Sequence, residues 1–238
     1  MAIIIEKHRG INVVRDDLLL GGTKSVLMPT IVSDNYNEYV YASPVYGGFQ
    51  IALSAYCQHM NKKATIFCAK RKVKHANTLQ CEKYGATIVE IPYGYLSVVE
   101  KHARNYCLNK PDIKKIIFGA NTLDNKLIIA ERTRNVIKTL GKEPDEIWCA
   151  IGSGTLISGI LMGVSNAVKV VGVQVGGSYT IENGYNNVEV IKYDKPFSAV
   201  SKMKTDFPSM PNYDLKAFEL CVKNTTNKDK NILFWNVL

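Results

Sequence analysis

Short apolar runs of strand length recur along the chain, separated by stretches of helical periodicity. "EYVYAS" (38–43), "KATIFCA" (63–69) and "ATIVEIP" (86–92) are rich in β-branched and aromatic residues and predict strands. "GFQIALSAYCQHMN" (48–61) instead sets Ile51, Ala52, Ala55, Tyr56 and Met60 at helical spacing. "KHANTLQCEKYG" (74–85) predicts a helix closed by Gly85, and "YLSVVEKHARNYCLN" (95–109) another. "KKIIFGA" (114–120) reads as a strand or strand edge. "NKLIIAERTRNVIKTLG" (125–141) is the longest amphipathic helix, closed by Gly141. "EIWCAI" (146–151) is a strand of buried type, with a helix in "GSGTLISGILMGVS" (152–165) and the β-rich "VKVVGVQVG" (168–176) after it. Strands alternating with helices imply an α/β fold, a parallel twisted sheet with helices on both faces. In such sheets ligands bind at the carboxyl ends of the strands, which directs attention to the loops that follow them.

Composition narrows the class. The chain has 238 residues, 46% apolar and 21% charged, enough for one large domain or two small lobes. Its apolar stretches are too short and interrupted for a membrane span, and "MAIIIEKHRG" is too brief for a signal h-region, so a cytoplasmic protein is expected. Six scattered cysteines without CxxC pairs read as buried free thiols of a reducing compartment. The four histidines are not at ligand spacing, and no metal is expected. A formal charge of +9 would attract polyanions or steer small anionic ligands. Its clearest cluster, "AKRKVKH" (69–75), has two readings: a solvated loop or helix start, or contact with nucleic acid or a nucleotide-linked substrate.

Two segments carry candidate chemistry. In "CAIGSGTLISGILMG" (149–163) a buried strand runs through Gly152-Ser153-Gly154-Thr155 straight into a helix. Glycines permit positive φ and close ligand approach, the first-turn amides point outward, and two hydroxyls stand beside them: a generic phosphate cradle. It is neither a Walker A loop nor G-x-G-x-x-G, and a tight turn capped by its serine is the plain alternative. Near the start, "RDDLLLGGTKSV" (15–26) places Lys24 after a Gly-Gly turn and an acidic pair. A solvated lysine needs no such frame.

Together, "RDDLLLGGTK" and "GSGTLISG" resemble the fold type II pyridoxal-phosphate enzymes, the tryptophan synthase β-like group. Their aminocyclopropane-carboxylate deaminase and D-cysteine desulfhydrase branch is the nearest, with its "RDDL", "GGNK" and "GSGGT". "ALSAYCQHMNKKATIFCA" (52–69), "CEKYGATIVEIPYG" (81–94), "MPNYDLKAFELC" (210–221) and "NILFWNV" (231–237) resemble later parts of that family. The resemblance implies two interleaved lobes in one catalytic unit, 36–120 the smaller and 1–35 plus 121–238 binding the cofactor. It further implies a fold trimmed at both ends and a homodimer.

For Lys24 it implies a Schiff base with the aldehyde of pyridoxal 5'-phosphate, and a lysine whose pKa is lowered. Gly152, Ser153, Gly154 and Thr155 would hold the phosphate, with Tyr213 and Asp214 also on the cofactor. The family's Ser/Asn substrate loop falls on Gly47, Gly48 and Phe49, where both hydrogen-bonding side chains are missing. Backbone amides of Gly47 and Gly48 could bind an anion there, and Ser43, Tyr46 or Gln50 lend a side chain. The activity implied is a lyase- or deaminase-like reaction at an amino group: elimination, deamination, decarboxylation or replacement. The substrate would be an amino acid or an amino-acid-modified nucleotide or DNA base. A phosphate- or nucleotide-binding module that lost the chemistry, or a structural subunit using its basic face, are the competing readings.

Overall fold

The computed structural model describes every residue except 93, 178, 182, 183 and 226–228. Among the described residues the elements begin with β1 (Ile5–His8), β2 (Ile11–Arg15), the short α1 (Met28–Ile31) and β3 (Glu38–Ala42). Next come α2 (Phe49–His59), β4 (Lys63–Ala69), α3 (Ala76–Lys83), β5 (Thr87–Ile91), α4 (Leu96–Cys107) and β6 (Ile113–Ile116). The chain continues through α5 (Leu123–Leu140), β7 (Glu146–Ile151), α6 (Thr155–Gly163) and β8 (Lys169–Gln174). It ends with β9 (Val188–Lys192), α7 (Asp214–Asn224) and β10 (Ile232–Asn236). These elements form two compact units, Met1–Leu18 with Asn121–Leu238, and Leu19–Ala120.

The Leu19–Ala120 unit holds a sheet of order β5-β4-β3-β6, parallel throughout. All five residues of β3 are buried, and after Glu38 the run Tyr39–Ala42 is aromatic or aliphatic throughout, as expected for a central parallel strand. Tyr41 and Phe49 stack within it, ring centroids 4.6 Å apart. Glu38, at the start of β3, is buried among polar partners: the Thr65 hydroxyl donates to it at 2.5 Å and Tyr106 at 3.0 Å.

In the other unit the order is β1-β2-β10-β7-β8-β9, and only the β1–β2 pairing is antiparallel. That hairpin turns at Arg9-Gly10, both at positive φ, the geometry of a tight two-residue turn. Side chains of the central strands alternate between two cores. Trp148, Ala150, Ile232 and Phe234 face α7 through Ala217, Phe218 and Cys221. Ile147, Cys149, Ile151, Leu233 and Trp235 face the other way, onto Ile157, Ile160 and Leu161 of α6 and Val136 of α5. Helices thus cover both faces of this sheet, as the α/β pattern requires.

The ends of this sheet are pinned by charge. Asp16, 1% exposed and directly after β2, accepts from Arg132 Nε of α5 at 3.1 Å and from Trp235 Nε1 of β10 at 2.9 Å. A second Arg132 nitrogen bonds its other oxygen. Beside it Arg15 grips Asp17 with two bonds of 2.9 Å. The "RDD" triplet is therefore a structural clamp in which each acid has its own guanidinium.

Removing one member of a buried ion pair strands the other charge, at a cost of about 3–5 kcal/mol. Arg132→Met is expected to lose that much in a denaturant titration, and Asp16→Asn combined with Arg132→Met less. A loss below about 1 kcal/mol for the single variant would show that the pair does not hold the sheet.

Candidate active site

In the Leu19–Ala120 unit, Gly21 and Gly22 take φ of +82° and +79°. A Cβ on Gly21 would sit 2.4 Å from the Ala52 nitrogen, inside the main chain of α2. Glycine alone lets the chain pass so close and then turn. The turn opens a 3-10 segment, Thr23–Leu27, which carries Lys24. Lys24 is half-buried, with Nζ 5.9 Å from the ring centroid of Phe49, the first residue of α2. Desolvation lowers its pKa from 10.5 to about 8. At pH 7 about a tenth of such side chains are neutral amines, several hundred times the fraction of an ordinary lysine.

The loop from Ser43 to Gly48 leaves the carboxyl end of β3 and enters α2. Gln50 organises it from below, its Nε2 donating to Val45 O at 3.0 Å and Gly47 O at 2.9 Å. Its Oε1 is buried without a hydrogen-bond partner. The donor side of Gln50 is thus committed to the loop, leaving that one acceptor for anything else. Ser43 Oγ donates to Pro44 O at 2.9 Å, while Tyr46 stays half-buried. Gly48 is the N-cap of α2, and no side chain caps that helix start.

The second cluster lies in the other unit, where β7 ends and α6 begins. Gly154 is the α6 N-cap at φ +85°, again with no side-chain cap. A Cβ there would lie 2.0 Å from Tyr179 Cε2, and one on Gly152 would lie 2.9 Å from Tyr213 Oη. Two tyrosine rings therefore pack directly on the glycine backbone. Ser153 and Thr155 set their hydroxyls 3.1 Å apart, and Asn121 Nδ2 steadies the turn by donating to Ser153 O at 3.3 Å. Tyr213 Oη donates to Ala150 O at 3.4 Å, joining the start of α7 to the end of β7.

Asp214 follows, wholly buried. Its Oδ2 accepts from the Leu238 amide at 3.0 Å, while Oδ1 has no partner within hydrogen-bond geometry. Burial raises its pKa well above the usual carboxylate range, the Leu238 and Val237 amides oppose this, and Asp17 and Asp16 add to the rise. A buried carboxyl so placed keeps a proton.

Tyr213, Asp214 and the 152–155 turn are thus gathered within one unit, and Lys24 with the 43–50 loop within the other. Sequence reasoning named Phe49 only as a substrate-loop position and overlooked its contact with Lys24, and it missed Tyr179 on Gly154; both contacts are set by packing between separate segments.

The family model of the pyridoxal-phosphate dependent enzymes matches residues 35–227. The chain belongs to that family. No curated protein matches it significantly in sequence. Among solved structures it is similar to an ACC deaminase homologue, at 17% identity and TM-score 0.84, over 100% of this chain and 89% of that one. A hydrogen sulfide-producing enzyme from Fusobacterium nucleatum is similar over 99% of this chain and 92% of its own, at 14% identity and TM-score 0.76. For an O-acetylserine dependent cystathionine beta-synthase from Helicobacter pylori the values are 99%, 91%, 15% and 0.74. At such identities the likeness is one of fold, here fold type II, while Lys24 itself precedes the matched stretch.

Taken unit by unit, the residues have the chemistry this cofactor requires. An uncapped helix start behind a glycine cradle suits a phosphate. The desolvated Lys24 suits an aldehyde, and the orphaned Asp214 Oδ1 has a proton to share with a ring nitrogen.

The Asp214 proton has a measurable signature. An unfolded aspartate releases its proton near pH 3.9, whereas the folded one keeps it, so stability falls as pH rises from about 4 toward the folded pKa. Asp214→Asn can still accept from Leu238 and removes that slope. It is expected to raise the melting temperature at pH 8 by roughly 2–4 °C per kcal/mol recovered. A lower melting temperature with an unchanged pH slope would overturn the assignment.

Proposed function

We propose that this chain acts on an amino-group-bearing substrate, by elimination, deamination, decarboxylation or replacement, with Lys24 as the residue that bonds the cofactor. The observation that carries the proposal is Lys24 mounted on a double-glycine turn over the Phe49 ring, in a chain of this family. When bound, pyridoxal phosphate supplies an electron sink that weakens the bonds at the carbon bearing the substrate's amine.

The roles of the protein follow from its own groups. Lys24 Nζ, its pKa lowered by desolvation, would hold the cofactor at its aldehyde, and as a free amine would take or give a proton at the substrate. The amides at the start of α6, with Ser153 and Thr155, hold the phosphate. Asp214 Oδ1 would offer a proton to the ring nitrogen, and Tyr213, packed on Gly152, would stand beside the phosphate turn. At the start of α2, which has no side-chain cap, the amide of Gly48 and those that follow it receive the substrate's carboxylate, while the Gly47 amide is held by Pro44 O at 2.9 Å. The net charge of +9 supports an anionic substrate, whether an amino acid or an amino-acid-bearing nucleotide.

Purified protein incubated with pyridoxal phosphate is expected to develop a visible band that borohydride bleaches, with peptide mapping placing the fixed cofactor on Lys24. A colourless protein, or an unchanged band in Lys24→Ala, would sink the proposal and favour a binding module without chemistry. The pH dependence of attachment adds a second check. The attacking amine must be unprotonated, so the attachment rate is expected to climb through pH 8 and level off above it. A climb continuing to about 10.5, where an ordinary lysine titrates, would show that Lys24 is not the desolvated nucleophile.

A further inference from the structure

The basic cluster after β4 has one member set apart by geometry. Arg71 is exposed, and its guanidinium carbon lies 5.0 Å from the ring centroid of Tyr46. Tyr46 in turn meets the His75 ring edge-on, centroids 4.9 Å apart at 77°. His75 is itself fixed, because its Nδ1 accepts from the Asn77 amide at 3.2 Å and caps α3. The stack Arg71–Tyr46–His75 therefore holds a guanidinium in place rather than leaving it to wander in solvent.

Its position is equally specific. β3 and β4 are parallel neighbours, and Ser43 N donates to Phe67 O at 2.8 Å where both strands end. Loop 43–48 and the segment bearing Arg71 consequently rise side by side from the carboxyl edge of one sheet. That edge also holds the uncapped start of α2, the unpartnered buried Gln50 Oε1, and Phe49, over which Lys24 Nζ lies. Lys74 in the same cluster is paired with Glu82. Arg71 is exposed and has no acidic partner among the described residues, so its guanidinium is open to a ligand.

We infer that Arg71 binds a second anionic group of the substrate, a carboxylate or phosphate distal to the reacting amine, and thereby selects doubly anionic amine substrates. This rests on the function proposed above and adds the substrate class to it. The first anionic group goes to the start of α2 at Gly48, which carries no side-chain cap. Gln50 Oε1 offers an acceptor to a ligand N–H or O–H. The guanidinium fork then matches the planar or tetrahedral oxygens of the second group.

The test uses the holoenzyme and two matched pairs of probes, L-glutamate against L-glutamine and O-phospho-L-serine against L-serine. Titration of the visible cofactor band gives an affinity for each, and calorimetry on the same samples gives it independently of colour. The charged member of at least one pair is expected to bind about tenfold or more tightly than its neutral partner, the size of a hydrogen bond to a charged group. Which pair shows the preference tells carboxylate from phosphate. Arg71→Ala should bring that ratio close to one and Arg71→Lys reduce it, while Lys72→Ala, a neighbouring exposed charge, should keep it. A wild-type ratio near one in both pairs, or a ratio that survives Arg71→Ala, would overturn the inference. If no visible band forms, the Lys24 reading fails, and calorimetry with O-phospho-L-serine still decides the role of Arg71.

Discussion

The buried carboxylate of Asp16 is the constraint on which the larger unit depends. It gathers a guanidinium from α5 and an indole N–H from β10 at the point where the chain leaves β2. Three segments far apart in sequence must therefore be in place before this charge is satisfied. A carboxylate left alone there would cost several kcal/mol, so partly assembled arrangements are heavily disfavoured. The same junction sets where β2 stops and the chain departs toward Gly21 and Gly22. Its influence extends to Asp214, whose pKa rises further because Asp16 and Asp17 stand near it.

Glycine does at the candidate site what charge does at the sheet. Gly21 is pressed against the α2 backbone, Gly152 against Tyr213, and Gly154 against Tyr179. In each case a Cβ would fall where another atom already sits. The site residues that follow, Lys24 after Gly22 and Thr155 after Gly154, are thereby carried on main chain whose path a Cβ would block. Two helix starts, those of α2 and α6, have glycine N-caps and so lack the side-chain acceptor that would otherwise occupy their amides. A cap residue there would stabilise the helix and compete with an anion.

Much of this was legible in the sequence where local rules and tertiary packing agree. "EIWCAI" reads as a buried strand because both its faces meet apolar helices, and 146–151 is that strand. Gly141 closes the longest helix in the left-handed conformation expected of it. β1, β2 and β9 were not legible: their residues are only partly apolar, and β1 and β9 are edge strands with one neighbour each. At the site, the Gly-Gly-Thr-Lys turn and the glycine cradle were legible because backbone geometry demands those residue types. The acids of "RDDL" could be flagged but not explained, since Arg132 and Trp235 lie more than a hundred residues away. Arg71 was legible only as part of a charge run; its stack on Tyr46 depends on β3 and β4 ending side by side.

In the proposed reading of the site, desolvation also separates the competing nucleophiles. An aldehyde cofactor entering this chain meets thiols as well as amines. Burial acts on the two with opposite sign, because a thiol becomes charged by losing its proton and an amine by keeping it. Cys57 is pushed up to about 12, and Cys68 and Cys81 to about 11. Cys149 and Cys221 rise still further. These thiols remain protonated and weakly nucleophilic at neutral pH. The same physics makes Lys24 more reactive, since it lowers the fraction carrying a proton. Lys216 is also lowered by burial, but its Nζ donates to Pro196 O at 2.9 Å and Phe197 O at 3.3 Å. Those bonds hold Lys216 in a structural role.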